Sequence, residues 1–243
     1  MRPSLLLIGH ADATGHHGLA ADLRAAEALG VQPLPVITSF TIGPPEAPTA
    51  LVPVMGRSIS RQLADALDQE PVAALVGVIA RGRHVRLVAR ALADRGPSGL
   101  VVAPIPGSFD LAPLVNQRLF VALRKLLVPQ ARAVVLPALR AAPLAGANGE
   151  TVDELRAIGE RLIGLGADAA WVRAGENLSR CVDVLVEPRG SGLLDYHPAG
   201  PDTQPHTAPA SLAALLALGT KLREAVDRAH RHSYNLDRAL YPV

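Results

Sequence analysis

Most of the side chains that could perform chemistry lie in one short segment near the start of the sequence. His10, Asp12, His16 and His17 fall within eight positions, between an apolar run and a helical pattern. Imidazole and carboxylate groups bind zinc and similar divalent ions, so a metal-dependent activity of the His10, His16 and His17 loop is one hypothesis. The other is that the imidazoles fill the mouth of a pocket and alter its ligand, because adjacent side chains such as His16 and His17 diverge.

The other reactive side chains are scattered along the chain. Cys181 is the single cysteine, so it can form neither an internal disulfide nor a CxxC zinc site. His230 and His232 fall in the last predicted helix, and Asp195-Tyr196-His197 falls in a predicted exposed loop. We expect His230, His232 and the 195–197 segment to be solvated.

Alternating strands and helices must position these residues. Continuous apolar runs and apolar residues at helical spacing predict strands at 5–8, 34–40, 72–79, 99–102, 133–136 and 169–173, and helices at 19–29, 58–67, 84–93, 113–127, 152–165, 209–218 and 222–239. This alternation is typical of an α/β three-layer sandwich with a mostly parallel central sheet, here as a single domain over residues 1–243. Residues 182–186 are predicted to form an antiparallel edge hairpin.

The predicted sheet also indicates where a ligand would bind. In open α/β sheets, ligands lie beside the carboxyl ends of the strands. These ends fall in the loops at 9–18, 38–48, 79–83, 103–112, 173–180 and 200–209. The histidine segment occupies the first of these loops.

The composition excludes several classes of function. Hydrophobic residues make up 49% of the chain and charged residues 19%, which predicts a folded core. The net charge is only +2 and aromatic residues are 3%, so nucleic acid is not an expected partner. No apolar run is long enough to span a membrane, and the single cysteine fits a cytoplasmic location.

The segment 11–23, ADATGHHGLAADL, carries a resemblance to a known family. It is similar to the SDSSGGAGIQADL stretch of the hydroxymethylpyrimidine and phosphomethylpyrimidine kinases of thiamine biosynthesis, members of the ribokinase-like superfamily. The resemblance continues at 28–31 and 36–41 and covers nearly the whole chain. It implies a ribokinase-like α/β/α fold, transfer of the ATP γ-phosphate to the hydroxymethyl group or phosphate of a pyrimidine with magnesium, and a homodimer.

The resemblance assigns roles to two groups of residues. Its substrate-binding positions fall on Asp12, Gly15, His16 and Gly18, and its phosphate-binding or ATP-binding positions fall on Arg173, Thr207 and Ala208. Asp12 has two alternatives, because it either hydrogen-bonds a pyrimidine amine or caps the helix that follows.

The catalytic positions of the family are changed in this chain. The family's GTGC stretch opens a helix that holds the γ-phosphate, and its last residue is the base; the matching stretch is 206–209 and ends at Pro209. Proline offers neither a backbone N–H nor an ionisable side chain. Further family acids and polar groups are replaced at Ala103, at 136–138, at 174–176 and at Gly43. Asp202 is the nearby acid that could substitute for the base.

These replacements lead to three hypotheses about function. The first is a kinase of this family with weak or lost catalysis. The second is a non-catalytic pseudokinase that binds a pyrimidine-like ligand or a protein partner, and the third is the metal-dependent activity of the histidine loop. ATP and magnesium are expected from the resemblance, although several groups that would hold them are replaced.

Overall fold

A computed structural model describes residues 2–13, 15, 17–44, 47–106, 109–174, 181–196 and 207–240. Within them, nine strands form one sheet in the order β3-β2-β1-β4-β5-β6-β7-β8-β9. The strands are β1 (Ser4–Ala11), β2 (Gln32–Ile42), β3 (Ala50–Pro53), β4 (Ala73–Val76), β5 (Gly99–Val102), β6 (Ala133–Pro137), β7 (Ala170–Arg173), β8 (Cys181–Glu187) and β9 (Gly190–Tyr196). The strands β2, β1, β4, β5, β6 and β7 run parallel, whereas β3, β8 and β9 pair antiparallel.

Helices cover both faces of the sheet. They are α1 (Gly18–Ala28), α2 (Gly56–Leu67), α3 (Gly82–Arg95), α4 (Arg118–Leu126), α5 (Ala142–Ala145), α6 (Val152–Gly164), α7 (Ala208–Ala217) and α8 (Leu222–Leu240). One apolar cluster joins α1, α7 and α8 to the sheet, and a larger one joins α2 to α6 to the opposite face. The predicted three-layer α/β fold with a mostly parallel sheet is therefore confirmed.

The central strands form where the sequence is apolar on both faces. In β1, Leu5 and Leu7 pack into the α1, α7 and α8 layer, while Leu6 and Ile8 pack into the other. Successive side chains of a strand point to opposite faces, so a continuous apolar run suits a strand that is covered on both sides. This explains why the apolar runs located the parallel strands.

Two predicted elements differ from the structure. The helix predicted at 113–127 is divided into a 3-10 turn at Ala112–Leu114 and α4, because Val115 is extended and the Asn116 side chain accepts a hydrogen bond from the backbone N–H of Arg118. The exposed loop predicted at 195–197 is also wrong for Asp195 and Tyr196, which lie in β9 and pair with β8. His197 lies outside the described residues.

The stretch after β2 contains a strand that the proline-rich sequence did not indicate. β3 pairs antiparallel with the end of β2, with Phe40 opposite Val52 and Thr41 opposite Leu51. We call Ser39–Ile42 with Ala50–Pro53 the β2–β3 ribbon. No helix among the described residues is long and apolar enough to cross a membrane.

Candidate functional site

The loop between β1 and α1 is organised around Asp12. The Asp12 carboxylate accepts a hydrogen bond of 3.2 Å from the backbone N–H of His17, which is the residue at the N-cap of α1. The Asp12 carbonyl accepts another from Gly15, whose own carbonyl accepts one from Arg24. The bond to the Asp12 carboxylate reaches the backbone of the N-cap residue itself and not the N–H groups of the first turn of α1 that a capping side chain binds. His16 lies outside the described residues.

His10 lies at the carboxyl end of β1 and is buried. Burial lowers the pKa of His10 to about 4, while the Asp12 carboxylate opposes this shift and His17 adds to it. The imidazole is therefore neutral at physiological pH. Its ring meets Phe109 edge-on, with 6.1 Å between the ring centroids.

Gly18, the first residue of α1, makes room for His10. Its φ of +55° is in the left-handed region that favours glycine. A Cβ at this position would lie 2.5 Å from the His10 carbonyl oxygen and 2.8 Å from the His10 ring. The close approach of the two backbones therefore requires glycine here.

The metal hypothesis for the histidine loop finds no complete ligand set in the structure. Among the described residues, no group of three or more His, Cys, Asp or Glu side chains could hold a metal ion. His10, Asp12 and His17 lie near one another without forming such a group. The hypothesis would need His16, which is outside the described part of the chain.

Thr38 is an important residue of this region that sequence reasoning missed. The pairing of β2 with β1 shifts by one residue, so that Gly9 is opposite Ile37 but His10 is opposite Ser39. Thr38 is the extra residue, and its buried hydroxyl lies 2.9 Å from the Gly9 carbonyl and 3.2 Å from the Val78 carbonyl. A hydroxyl inside the apolar run of β2 was the available signal.

The start of α7 lies against the middle of the sheet. The helix packs against β1, β4 and β5, and Thr207 at its N-cap makes no side-chain capping bond. Pro209 is the second residue of the helix, and Ala208, Ala210 and Ser211 complete its first turn. This turn offers backbone N–H groups from Ala208 and Ala210 but no ionisable side chain.

Asp22, in α1, also has a strongly shifted pKa. Burial raises the pKa of its carboxyl to about 8, so the group is mostly protonated at neutral pH. α1 packs against α7, which places Asp22 in the same layer as the α7 helix.

At the end of β7, Trp171, Arg173, Asp183 and His230 form a buried group, here called the Asp183 cluster. Asp183 accepts 2.8 Å hydrogen bonds from the Trp171 indole and the Ala174 backbone. Its carboxylate lies 3.6 Å from Arg173 Nε and 3.5 Å from His230 Nδ1. The Arg173 guanidinium also stands 5.6 Å from the centre of the Trp171 ring.

The Asp183 cluster corrects one prediction and qualifies another. His230 was expected to be solvated, but it is only 5% exposed because its face of α8 packs on the sheet beside Asp183. Arg173 was predicted to contact a phosphate. It lies at the carboxyl end of β7, where a ligand could approach, but its charge already faces the Asp183 carboxylate.

The described residues directly after β5 and β6 offer no carboxylate that could hold a magnesium ion, and Glu176 and Asp202 lie outside the described residues. Magnesium prefers carboxylate oxygens, together with water and phosphate. Residues 103–106 after β5 and 138–142 after β6 contain no Asp or Glu. Asp110 is exposed, and its carboxylate accepts a hydrogen bond from the backbone of Ala112.

Residues 12–238 match the family described as phosphomethylpyrimidine kinase. The chain belongs to this family. It is 24% identical over 237 residues to the hydroxymethylpyrimidine/phosphomethylpyrimidine kinase of Bacillus subtilis, covering 96% of this chain and 87% of that protein. It is 30% identical over 235 residues to the enzyme of the same name from Rhizobium meliloti, covering 92% and 86% of the two chains.

The family fold is also seen in solved structures. An ADP complex of pyridoxal kinase from Bacillus subtilis superimposes with a TM-score of 0.87 at 23% identity, covering 95% of this chain and 90% of that one. This likeness concerns the fold. The phosphomethylpyrimidine kinase family thus includes a chain in which the first turn of α7 carries a proline and no ionisable group.

We predict that the buried pair of Arg173 and Asp183 stabilises the folded chain. Replacing Arg173 by Met leaves the Asp183 carboxylate without its guanidinium partner, and we expect the free energy of unfolding to fall by about 3 kcal/mol. Urea denaturation followed by circular dichroism measures this change. As a matched control, Arg95→Met removes the exposed pair with Asp68, which is worth less than about 1 kcal/mol. Equal losses in the two variants would contradict the prediction.

Proposed function

We propose that this chain binds a hydroxymethylpyrimidine or its phosphate and transfers phosphate to it from ATP slowly or not at all. Membership of the phosphomethylpyrimidine kinase family supports the ligand class. The observation that carries the rest is the first turn of α7, where Pro209 stands between Ala208 and Ala210. No side chain of that turn can accept the proton of the substrate hydroxyl.

The expected loss in the rate of phosphate transfer follows from the catalytic groups that are replaced. A positioned general base contributes about 10² to 10⁴ in rate, and one donor to a developing negative charge contributes about 10² to 10³. Pro209 supplies neither, because it lacks both an acidic side chain and an N–H. The N–H groups of Ala208 and Ala210 remain at the start of α7 to bind an anion.

ATP binding is the second weak step in this proposal. The related pyridoxal kinase binds ADP, and ATP use is the activity that the family implies. In this chain the neighbouring cation, Arg173, lies against Asp183, which reduces its attraction for a phosphate. A chain that binds the pyrimidine but not ATP would be the non-catalytic alternative.

Calorimetry and an ADP assay on the same sample test the proposal. The chain is titrated with hydroxymethylpyrimidine, with its phosphate, and with ATP and magnesium, and ADP release is then measured with each pyrimidine. We expect pyrimidine binding with little or no pyrimidine-dependent ADP. Rapid turnover would show that another residue acts as the base, and a failure to bind either pyrimidine would contradict the proposed ligand.

The variant Pro209→Cys tests the missing base directly. It adds an ionisable thiol and a backbone N–H at the start of α7, and we expect pyrimidine-dependent ADP formation to rise at least about tenfold. Ala208→Cys is the matched control, because it places the same thiol one position earlier and leaves the proline. No gain in Pro209→Cys, with the fold intact by circular dichroism, would exclude this helix position as the cause of weak catalysis.

We also propose that two copies of the chain form a dimer through the β2–β3 ribbon. Phe40, Ile42 and Val52 are 46%, 54% and 42% exposed, and the first and last of these are directly opposite each other. They share one face of the ribbon, whereas Leu51 on the other face is buried in the core. A cluster of exposed apolar side chains of this kind is typical of a protein interface.

The variant Ile42→Asp is expected to produce a monomer. A carboxylate in the centre of an apolar interface would be desolvated without a partner, which opposes association. Size-exclusion chromatography with light scattering measures the mass. Val72→Asp is the control, since Val72 is equally exposed at 49% but lies before β4, away from the ribbon. A parent chain that is monomeric at all concentrations would refute the dimer.

A further inference from the structure

The strongest unexplained feature of the site is the imidazole of His10. Its residue is only 4% exposed, and neither Nδ1 nor Nε2 has a hydrogen-bond partner within the described residues. A neutral imidazole carries one donor and one acceptor, and buried polar groups are nearly always paired. A buried pair of nitrogens that the described residues leave unsatisfied is therefore suited to a ligand.

The position of the ring supports this view. Nε2 would lie 2.8 Å from a Cβ at Gly18, so the imidazole stands directly in front of the first residue of α1. Of the nearby polar groups of β2, the Thr38 hydroxyl contacts the Gly9 and Val78 carbonyls, whereas the buried Ser39 hydroxyl, opposite His10 in the sheet, has no partner among the described residues. His10 is thus the ring at this strand end whose hydrogen-bonding capacity is unused, and the Ser39 hydroxyl is a second unsatisfied group beside it.

Two further observations restrict the chemical class of the ligand. The Asp12 carboxylate is near enough to His10 to oppose the lowering of its pKa, so an approaching anion would be repelled. Burial keeps the imidazole itself neutral. The site therefore favours a neutral ring that offers an N–H to the carboxylate and an acceptor nitrogen to the imidazole. An aminopyrimidine has this arrangement, because its amino group is next to a ring nitrogen.

We infer that His10 is a specificity-determining residue, which donates a hydrogen bond to a ring nitrogen of the bound aminopyrimidine. The inference rests on the proposed function and adds a residue that selects the ligand. It assigns His10 to ligand binding and gives it no part in phosphate transfer. It also explains why an imidazole is buried here without a hydrogen-bond partner among the described residues.

The test compares two ligands and three variants by calorimetry. The ligands are hydroxymethylpyrimidine and an aniline analogue in which both ring nitrogens are carbon. His10→Phe keeps a ring of similar size but removes the hydrogen bond, and His10→Gln keeps a donor near the position of Nε2. His84→Phe is the matched control, because His84 is a buried imidazole of α3, in the opposite layer from α1.

We expect His10→Phe to weaken binding of the pyrimidine about tenfold, the value of one hydrogen bond of about 1.4 kcal/mol, and to leave the affinity for the aniline analogue unchanged. His10→Gln should recover part of the loss, and His84→Phe should bind both ligands like the parent chain. If His10→Phe does not fold, His10→Leu supplies the same comparison, because it also removes the hydrogen bond.

Two results would overturn the inference while the proposed function stands. In the first, the parent chain binds the pyrimidine and the His10→Phe variant binds it equally well. The other is an equal loss for both ligands, which would show that the ring only packs. A parent chain that binds no pyrimidine is a third, distinct pattern, and it removes the proposed function as well as the inference.

Discussion

The carboxyl edge of the sheet depends on the hydrogen bonds that Thr38 and Gln62 make around a bulge in β2. The Thr38 hydroxyl bridges the ends of β1 and β4, while its carbonyl accepts from Val54. Gln62, from α2, reaches the N–H and the carbonyl of Ile37, the residue before the bulge. Backbone groups that an irregular strand would leave unpaired are thus satisfied, and the loop that follows β1 has a rigid base.

Much of the fold could be predicted because the parallel strands are covered on both sides and therefore read as unbroken apolar runs. β3 could not be predicted, since its four residues follow a proline-rich stretch and owe their strand conformation to pairing with β2. The division of the helix predicted at 113–127 was missed for a different reason, because apolar spacing does not show which side chain ends or begins a helix. A local hydrogen bond that the Asn116 side chain accepts from the backbone N–H of Arg118 decides where α4 begins.

The candidate site could be predicted from the sequence less completely than the fold. The loop with Asp12, Gly15 and Gly18 was found through its resemblance to a family, and Gly18 proves to have a steric reason for being glycine. The burial of His230 was missed, because a histidine among charged residues of a helix is typical of a solvated face. Its partner Asp183 is on a distant strand, and a one-dimensional pattern does not reveal such pairs.

The bulge in β2 also decides the chemical character of the β2–β3 ribbon. Side chains alternate between the faces of a strand, and one extra residue reverses the alternation beyond it. Val36 packs into the core on the α2 side, yet Phe40 and Ile42 are exposed, whereas Leu51 of β3 joins the same core as Val36. Deleting a single residue at the bulge would exchange the two faces of the ribbon, turning an aromatic and an aliphatic side chain inward and hydroxyl groups outward. A single insertion or deletion at the bulge would therefore change the polarity of the entire exposed face of the β2–β3 ribbon.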